Sequence, residues 1–220
     1  MKTRRLLFVF WTCLAITALA GCCRPSKVGS VGVSLIPQER DWWCWAACTE
    51  MVSDYYGHQV PQCQSANFVH GTPPDCCTGC TGDCPGWGAA WGASIGDIQN
   101  NWTHWDFDYE YESTSLSWSK IKTTICPNKY CGNGPIYVVW WWYPIGWSGG
   151  HVVTAYGYAE VGNDRYVYYY NPLPESCETD GTDCEPATGG EDAVSTYDAF
   201  VDDGVHKWGN SFYAFEYTGP

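Results

Sequence analysis

The sequence predicts an α+β fold in which helices precede a sheet of antiparallel strands. Helix formers without a breaker run from Asp41 to Tyr56, whereas bulky β-forming residues dominate the chain after residue 103. The chain has 220 residues, which is typical of one domain or of two small lobes. Its 14 Cys, 14 Trp and 16 Tyr exclude a low-complexity disordered chain.

The first 21 residues are predicted to be an export signal. Basic residues precede an apolar run from Leu6 to Ala20, which is too short to span a bilayer comfortably. The ending Leu-Ala-Gly-Cys at residues 19–22 resembles the lipobox of bacterial lipoproteins. That resemblance implies cleavage before Cys22 and a lipid on its thiol. Because Cys23 stands where the inner-membrane retention signal would have Asp, the resemblance also implies anchoring in the outer membrane. The alternative is an ordinary signal peptide, with Cys22 in a disulfide.

Residues 22–33 contain Gly, Ser and Pro without periodicity and are predicted to be a flexible tether. The remaining chain, 34–220, is predicted to be the folded domain. Its partner is not expected to be a nucleic acid, because 24 acidic residues outnumber 11 basic ones for a net charge of -13 and no basic run is present.

Four helices are predicted in the domain, three of them in its first part. The first begins near Asp41 as N-cap and ends at Gly57, which suits a left-handed C-terminal residue. Shorter helices are predicted at 62–69, 94–101 and 117–125. The loop from Asn67 to Trp91 is rich in Gly, Pro and Cys and is predicted to be irregular and held by disulfides.

Five strands are predicted in the second part, because apolar and polar residues alternate or β-branched and aromatic residues cluster there. They cover residues 103–112, 136–143, 151–161, 165–170 and 208–217. The division predicts a helical lobe at about 34–102 and a sheet lobe at about 103–220.

Four residues form a candidate catalytic set. Cys44 lies in the first turn of the first helix, where the helix N-terminus favours a thiolate, which is the reactive form of cysteine. His151 starts a strand after Gly149 and Gly150, and Asn171 ends the following strand, so the two could be neighbours that supply and orient a base. Gln38 could supply a side-chain donor to an oxyanion.

These residues stand in motifs that resemble the papain-like cysteine proteases, and most of all the bacterial branch that includes a plant-pathogen effector protease. The resemblance spans most of residues 36–217, and its motifs are Gln38-x5-Cys44-Trp45-Ala46-Ala47, Gly149-Gly150-His151-Val152-Val153 and Tyr170-Asn171-Pro172.

The resemblance implies a two-lobed fold that hydrolyses peptide bonds through an acyl-enzyme. It implies that Cys44 is the nucleophile, His151 the general base and then acid, Asn171 the residue that orients the ring, and Gln38 the oxyanion donor. The implied protein needs no cofactor, acts on polypeptides and is a monomer. Cys48 departs from many members of that branch, and the cysteine-rich loop argues against an intracellular target.

Two other functions remain open on the sequence. The same Cys and His could serve an amidase or acyl transferase that acts on cell-wall peptides. Alternatively, the chain could be a disulfide-stapled binding module on the same scaffold that no longer catalyses.

Ten other cysteines are candidates for disulfides, since an exported chain folds in an oxidising compartment. Cys126 with Cys131 and Cys177 with Cys184 are predicted pairs, because each pair brackets a turn-like segment. The other six allow 15 connectivities, among which the sequence does not choose; they are Cys48, Cys63, Cys76, Cys77, Cys80 and Cys84.

Two further alternatives concern clustered residues. Cys77 and Cys80, with Cys84 or Cys63, could bind zinc instead of forming disulfides. The run Trp140 to Trp142 and the cluster from Tyr166 to Tyr170 could form a sugar-stacking platform, although alternate residues of a strand are expected to face the core. The other histidines are predicted to lie on the surface or in loops, with His206 possible at the cleft.

Overall fold

The computed structural model of the protein describes residues 26–40, 42–71, 77, 92–127, 134–143, 149–173 and 189–220. Within them, seven strands form one antiparallel sheet in the order β2-β7-β3-β4-β5-β6, with β1 beside the later half of β4. The strands are β1 (Val28–Ser30), β2 (Phe107–Glu112), β3 (Ile136–Trp142), β4 (Gly150–Val161), β5 (Asp164–Asn171), β6 (Glu191–Thr196) and β7 (His206–Tyr217). The mixed helix and sheet composition confirms the α+β class.

Five helices accompany the sheet in the described residues. They are α1 (Cys44–Tyr55), α2 (Gln62–His70), α3 (Ile95–His104), α4 (Trp118–Thr124) and α5 (Tyr197–Val201). The four helices predicted from sequence all form. Each helix is too short to cross a bilayer in the part of the chain that the structure describes.

Local residue chemistry explains where several helices begin and end. Ser94 caps α3 in a capping box with Asp97, and Ser117 caps α4 through the amide of Lys120. Gly57 follows α1 with φ 79°, the left-handed conformation that glycine adopts without strain. These end signals are readable in the sequence, so the helix boundaries deviate little from those predicted.

Helices cover both faces of the sheet. On one face, α1 packs against β3 and β4, where the Tyr137 hydroxyl donates to the Trp45 carbonyl oxygen over 3.1 Å. On the other face, Phe200 of α5 packs edge-on against Trp140 and Trp208 at ring distances of 5.1 and 5.2 Å. One buried cluster joins the helices to the sheet. The two-lobe division of the domain stays a prediction.

Several assignments differ from those predicted. Residues 28–30, which lie within the segment predicted as a flexible tether, pair with residues 157–159 of β4 as the short strand β1. The predicted strand from Thr103 begins only at Phe107, because residues 103 and 104 complete α3. The strand β6 and the helix α5 were not predicted.

Candidate active site

Cys44 is the first residue of α1. The amide of Ala47 closes the first turn on the Trp43 carbonyl oxygen over 2.9 Å, so the amides of Cys44, Trp45 and Ala46 precede the first intrahelical bond. Together with the helix dipole, these amides favour negative charge beside the Cys44 thiol. The side chain is largely buried, with 8% of the residue surface exposed, and it has no disulfide partner among the described cysteines.

The start of α1 differs from the predicted one. The helix begins at Cys44, with Trp43 as an N-cap that makes no side-chain hydrogen bond. The predicted cap, Asp41, lies outside the described residues. Trp42 has φ 65°, a left-handed conformation that is costly for a bulky residue. The chain therefore turns sharply immediately before the candidate nucleophile.

His151 and Asn171 are brought together by two adjacent strands. The ring nitrogen Nε2 of His151, on β4, lies 2.7 Å from Oδ1 of Asn171, at the end of β5. The same Oδ1 accepts a hydrogen bond from the Leu173 amide over 3.1 Å. A backbone N–H can only donate, so this contact identifies the Asn171 atom as the oxygen. His151 Nε2 must therefore carry the proton, which leaves Nδ1 as the basic nitrogen.

Two tryptophans of β3 pack around the His151 ring. Trp142 stacks on it at a ring distance of 5.9 Å, and Trp140 lies at 6.3 Å. Only 3% of the His151 surface is exposed. In this low-polarity environment the hydrogen bond to Asn171 is shielded from competing water, which strengthens its hold on the ring orientation.

Cys44 lies close to the start of β4. One turn further along α1, the Cys48 thiol donates to the Val152 carbonyl oxygen at 3.3 Å. Cys44 is on the same side of the helix as Cys48, and it lines a cavity together with Gly150 and Val152, the residues on either side of His151. Within the described residues, no hydrogen bond joins Cys44 to the His151 ring.

Gln38 is buried beside the end of β5. Its backbone amide donates to the Pro172 carbonyl oxygen over 3.1 Å, directly after Asn171. Its side-chain nitrogen donates to the Arg40 carbonyl oxygen over 2.9 Å, and no partner for its Oε1 is found among the described residues. A side-chain amide carries two N–H donors, so the second has no partner among the described residues.

The cavity beside Cys44 has a volume of about 370 Å³ and a largely apolar wall. Trp141 forms one side, held by a hydrogen bond of 3.0 Å from its indole nitrogen to Asn210 Oδ1. The other apolar residues of the wall include Trp42, Trp45, Ile95, Ile98 and Val139. A cavity of this size and character can hold an apolar side chain of a ligand.

The cysteines other than Cys44 differ in their surroundings. Cys63 and Cys77 form a disulfide, so the zinc alternative loses two of its four candidate thiolates. Cys48, a candidate for a disulfide, is fully buried in α1 and has no disulfide partner among the described residues, and burial raises its pKa well above the ordinary value. Cys126 is buried and unpaired among the described cysteines. The remaining nine cysteines lie outside the described residues, namely Cys13, Cys22, Cys23, Cys76, Cys80, Cys84, Cys131, Cys177 and Cys184.

The other histidines occupy different surroundings. His58 stacks on Tyr217 and His104 stacks on Phe68, at ring distances of 3.2 and 3.8 Å. His206 lies on Trp140 at 3.9 Å and is paired with Asp203 at 3.2 Å, which places it behind the tryptophans that surround His151. In the described ranges, no group of His, Cys, Asp or Glu is arranged to hold a metal ion.

Sequence reasoning did not identify the wall of the cavity or the role of the consecutive tryptophans. Trp140 and Trp142 lie on the His151 face of the sheet, whereas Trp141 lies on the Cys44 face. A single stacking platform formed by all three is therefore excluded by the strand geometry. The alternation of side chains along β3 predicts that Trp140 and Trp142 share one face. Which face that is follows only from the position of His151.

Comparison with known proteins gives one family. The family model described as "Peptidase_C39 like family" matches residues 31–192, which is well over half of the chain and includes all four candidate residues. No curated protein matches the chain.

Proposed function

The chain belongs to the Peptidase_C39-like family, a family of cysteine proteases, and from that premise we propose that it hydrolyses peptide bonds with Cys44 as nucleophile. His151 acts as general base and then acid, and Asn171 orients its ring. The observation that carries the proposal is the 2.7 Å contact between His151 Nε2 and Asn171 Oδ1 at the start of the strand that borders the Cys44 cavity.

In the first step, His151 Nδ1 takes the Cys44 proton while the sulfur attacks the carbonyl carbon of the scissile bond. The carbonyl oxygen becomes negative and is stabilised by the Cys44 amide and by the free donor of the Gln38 side chain. The C–N bond then breaks as the imidazolium gives its proton to the leaving amine. The carbonyl carbon remains bound to sulfur as a thioester.

In the second step, His151 removes a proton from water, which attacks the thioester carbonyl. The C–S bond breaks, the carboxylic acid leaves, and the sulfur recovers the proton from the imidazolium. The tautomer assigned through Leu173 supports this role, because Nδ1 is the nitrogen left without a proton. The mechanism requires that the His151 ring approach the Cys44 sulfur across the start of β4 when substrate binds, because no hydrogen bond joins the two side chains in the described residues; catalytic hydrogen bonds are often incomplete in unliganded enzymes.

The substrate is a polypeptide that places an apolar side chain in the cavity beside Cys44. The walls formed by Trp141 and Ile98 support this preference, because burying such a side chain there removes apolar surface from water. The motif around Cys22 supports an exported protein held to the outer membrane by a lipid.

The decisive experiment compares Cys44→Ala with Cys48→Ala on casein and on purified peptidoglycan. Cleavage of casein by the parent protein, its loss in Cys44→Ala and its retention in Cys48→Ala are expected. Release of peptides from peptidoglycan alone would indicate an amidase of cell-wall peptides instead. Equal activity in Cys44→Ala, or no turnover of either substrate by the folded parent protein, would overturn the proposal.

A further inference from the structure

The backbone on both sides of Gln38 is held by one side chain, that of Gln62. The Gln62 side-chain nitrogen donates to the Pro37 carbonyl oxygen over 2.9 Å. Its Oε1 accepts from the Glu39 amide over 2.8 Å. Pro37 offers only an acceptor and Glu39 only a donor at these atoms, so the orientation of the Gln62 amide is determined by its partners.

Gln62 is fully buried and tied to the neighbouring helices. It is the first residue of α2, next to Cys63 and its disulfide to Cys77. Burial raises the pKa of the Glu50 carboxyl group on α1. Hydrogen bonds from Gln62 and Gln59 partly offset this rise. Gln62 therefore connects the segment that carries Gln38 to the helix that carries Cys44.

The opposite side of the segment is held by the sheet. The Gln38 amide donates to the Pro172 carbonyl oxygen, one residue after Asn171. Gln62 thus supplies the second of two restraints that act on the same residue from opposite directions. Without it, the Gln38 backbone keeps only the bond to the end of β5.

We propose that Gln62 is a positioning residue for the hydrolysis: it fixes the Gln38 backbone so that the Gln38 side-chain amide faces the developing oxyanion. This inference rests on the proposed function, in which Gln38 is an oxyanion donor. No other standard side chain of the same length reproduces both bonds, because glutamate lacks the donor for Pro37 and methionine lacks donor and acceptor.

The effect is expected in turnover rather than in substrate binding. An oxyanion donor acts on charge that exists only in the transition state, so its displacement lowers kcat and leaves KM nearly unchanged. Complete loss of one such donor costs about 10²- to 10³-fold in kcat. Because Gln62→Met loosens Gln38 without removing it, we expect a smaller loss, about 10- to 50-fold.

The test is a double-mutant cycle on casein with Gln62→Met, Gln38→Ala and the double variant. If Gln62 acts through Gln38, Gln62→Met lowers kcat in the parent protein but changes it less than about twofold when Gln38 is already Ala. The matched control is Gln59→Met, which removes a hydrogen bond of 3.2 Å to the same Glu50 but does not touch the Gln38 segment. It is expected to keep the parent kcat.

The outcomes separate the two proposals. If Gln38→Ala keeps full activity, the oxyanion role within the proposed function is wrong, and the Gln62 inference falls with it. If Gln38→Ala is impaired but Gln62→Met is not, or is impaired equally in both backgrounds, only the Gln62 inference is overturned. Should Gln62→Met fail to fold, Gln62→Asn, which keeps the amide but is one methylene shorter, enters the same cycle with the same criteria.

Discussion

Replacement of Asn171 by Ala removes the only described acceptor of the His151 Nε2 proton. The bond is formed to a ring that becomes positively charged during catalysis, and such bonds contribute about 1.5–3 kcal/mol. If the whole of this contribution is realised in the transition state, kcat falls by about 10- to 150-fold, since a factor of ten corresponds to about 1.4 kcal/mol.

The same substitution also has a structural cost. Asn171 Oδ1 accepts from the Leu173 amide as well, so Ala leaves that partly buried donor without this partner. The expected loss is about 1–3 kcal/mol in the free energy of unfolding. Activity must therefore be measured on protein shown by urea titration to be folded.

The matched control is Asn171→Asp, which keeps an oxygen for both donors. Casein hydrolysis and urea unfolding are measured for the parent protein and both variants. We expect Asn171→Asp to keep kcat within about tenfold of the parent, because the ring remains oriented. A folded Asn171→Ala protein with the parent kcat would show that the His151 to Asn171 bond has no catalytic role.

Three further predictions concern groups around the site. Iodoacetamide at neutral pH should label Cys44 and not Cys48, because Cys48 is fully buried and its pKa is raised; peptide mapping that finds Cys48 labelled in the folded protein would contradict this. Because the pKa of Glu50 is raised, the folded state keeps the Glu50 proton to higher pH than the unfolded chain does. The protonated Glu50 therefore stabilises the fold below the ordinary pKa of 4.5, and this stabilisation is lost as the pH rises through the raised pKa. Glu50→Gln should flatten that decline in urea titrations from acid to neutral pH, and an unchanged slope would refute the assignment. Trp141→Ala should raise KM about tenfold for peptides with a large apolar side chain, because that side chain loses a surface to pack against. KM for analogues with glycine at the same position should not change. Equal changes in both peptide classes would count against the cavity as the binding site.

Much of the helical part and most of the sheet could be predicted because the signals are local. The capping box at Ser94 and the glycine after α1 mark helix ends within a few residues. The run from Ile136 consists of β-forming residues throughout. In contrast, β1 is only three residues long and contains glycine at its centre, and it exists because β4 extends beyond β3 and leaves backbone groups to pair.

The candidate site divides in the same way. The adjacency of His151 and Asn171 could be predicted because consecutive antiparallel strands place the start of one beside the end of the next, and the 2.7 Å contact agrees with this. The burial of Cys48 could not be predicted, since a count of cysteines does not tell which helix face meets the sheet. The contacts of Gln62 with Pro37 and Glu39 also depend on a close approach across more than twenty residues.

The strand β3 has a consequence for how the specificity of this protein could diversify. Trp140 and Trp142 pack near the His151 ring, whereas the intervening Trp141 borders the cavity beside Cys44. Mutations at one position of a three-residue stretch can thus alter what is recognised, while its two neighbours preserve the reaction. Natural selection, or a directed-evolution library restricted to residue 141, could therefore change the specificity without altering the residues around His151.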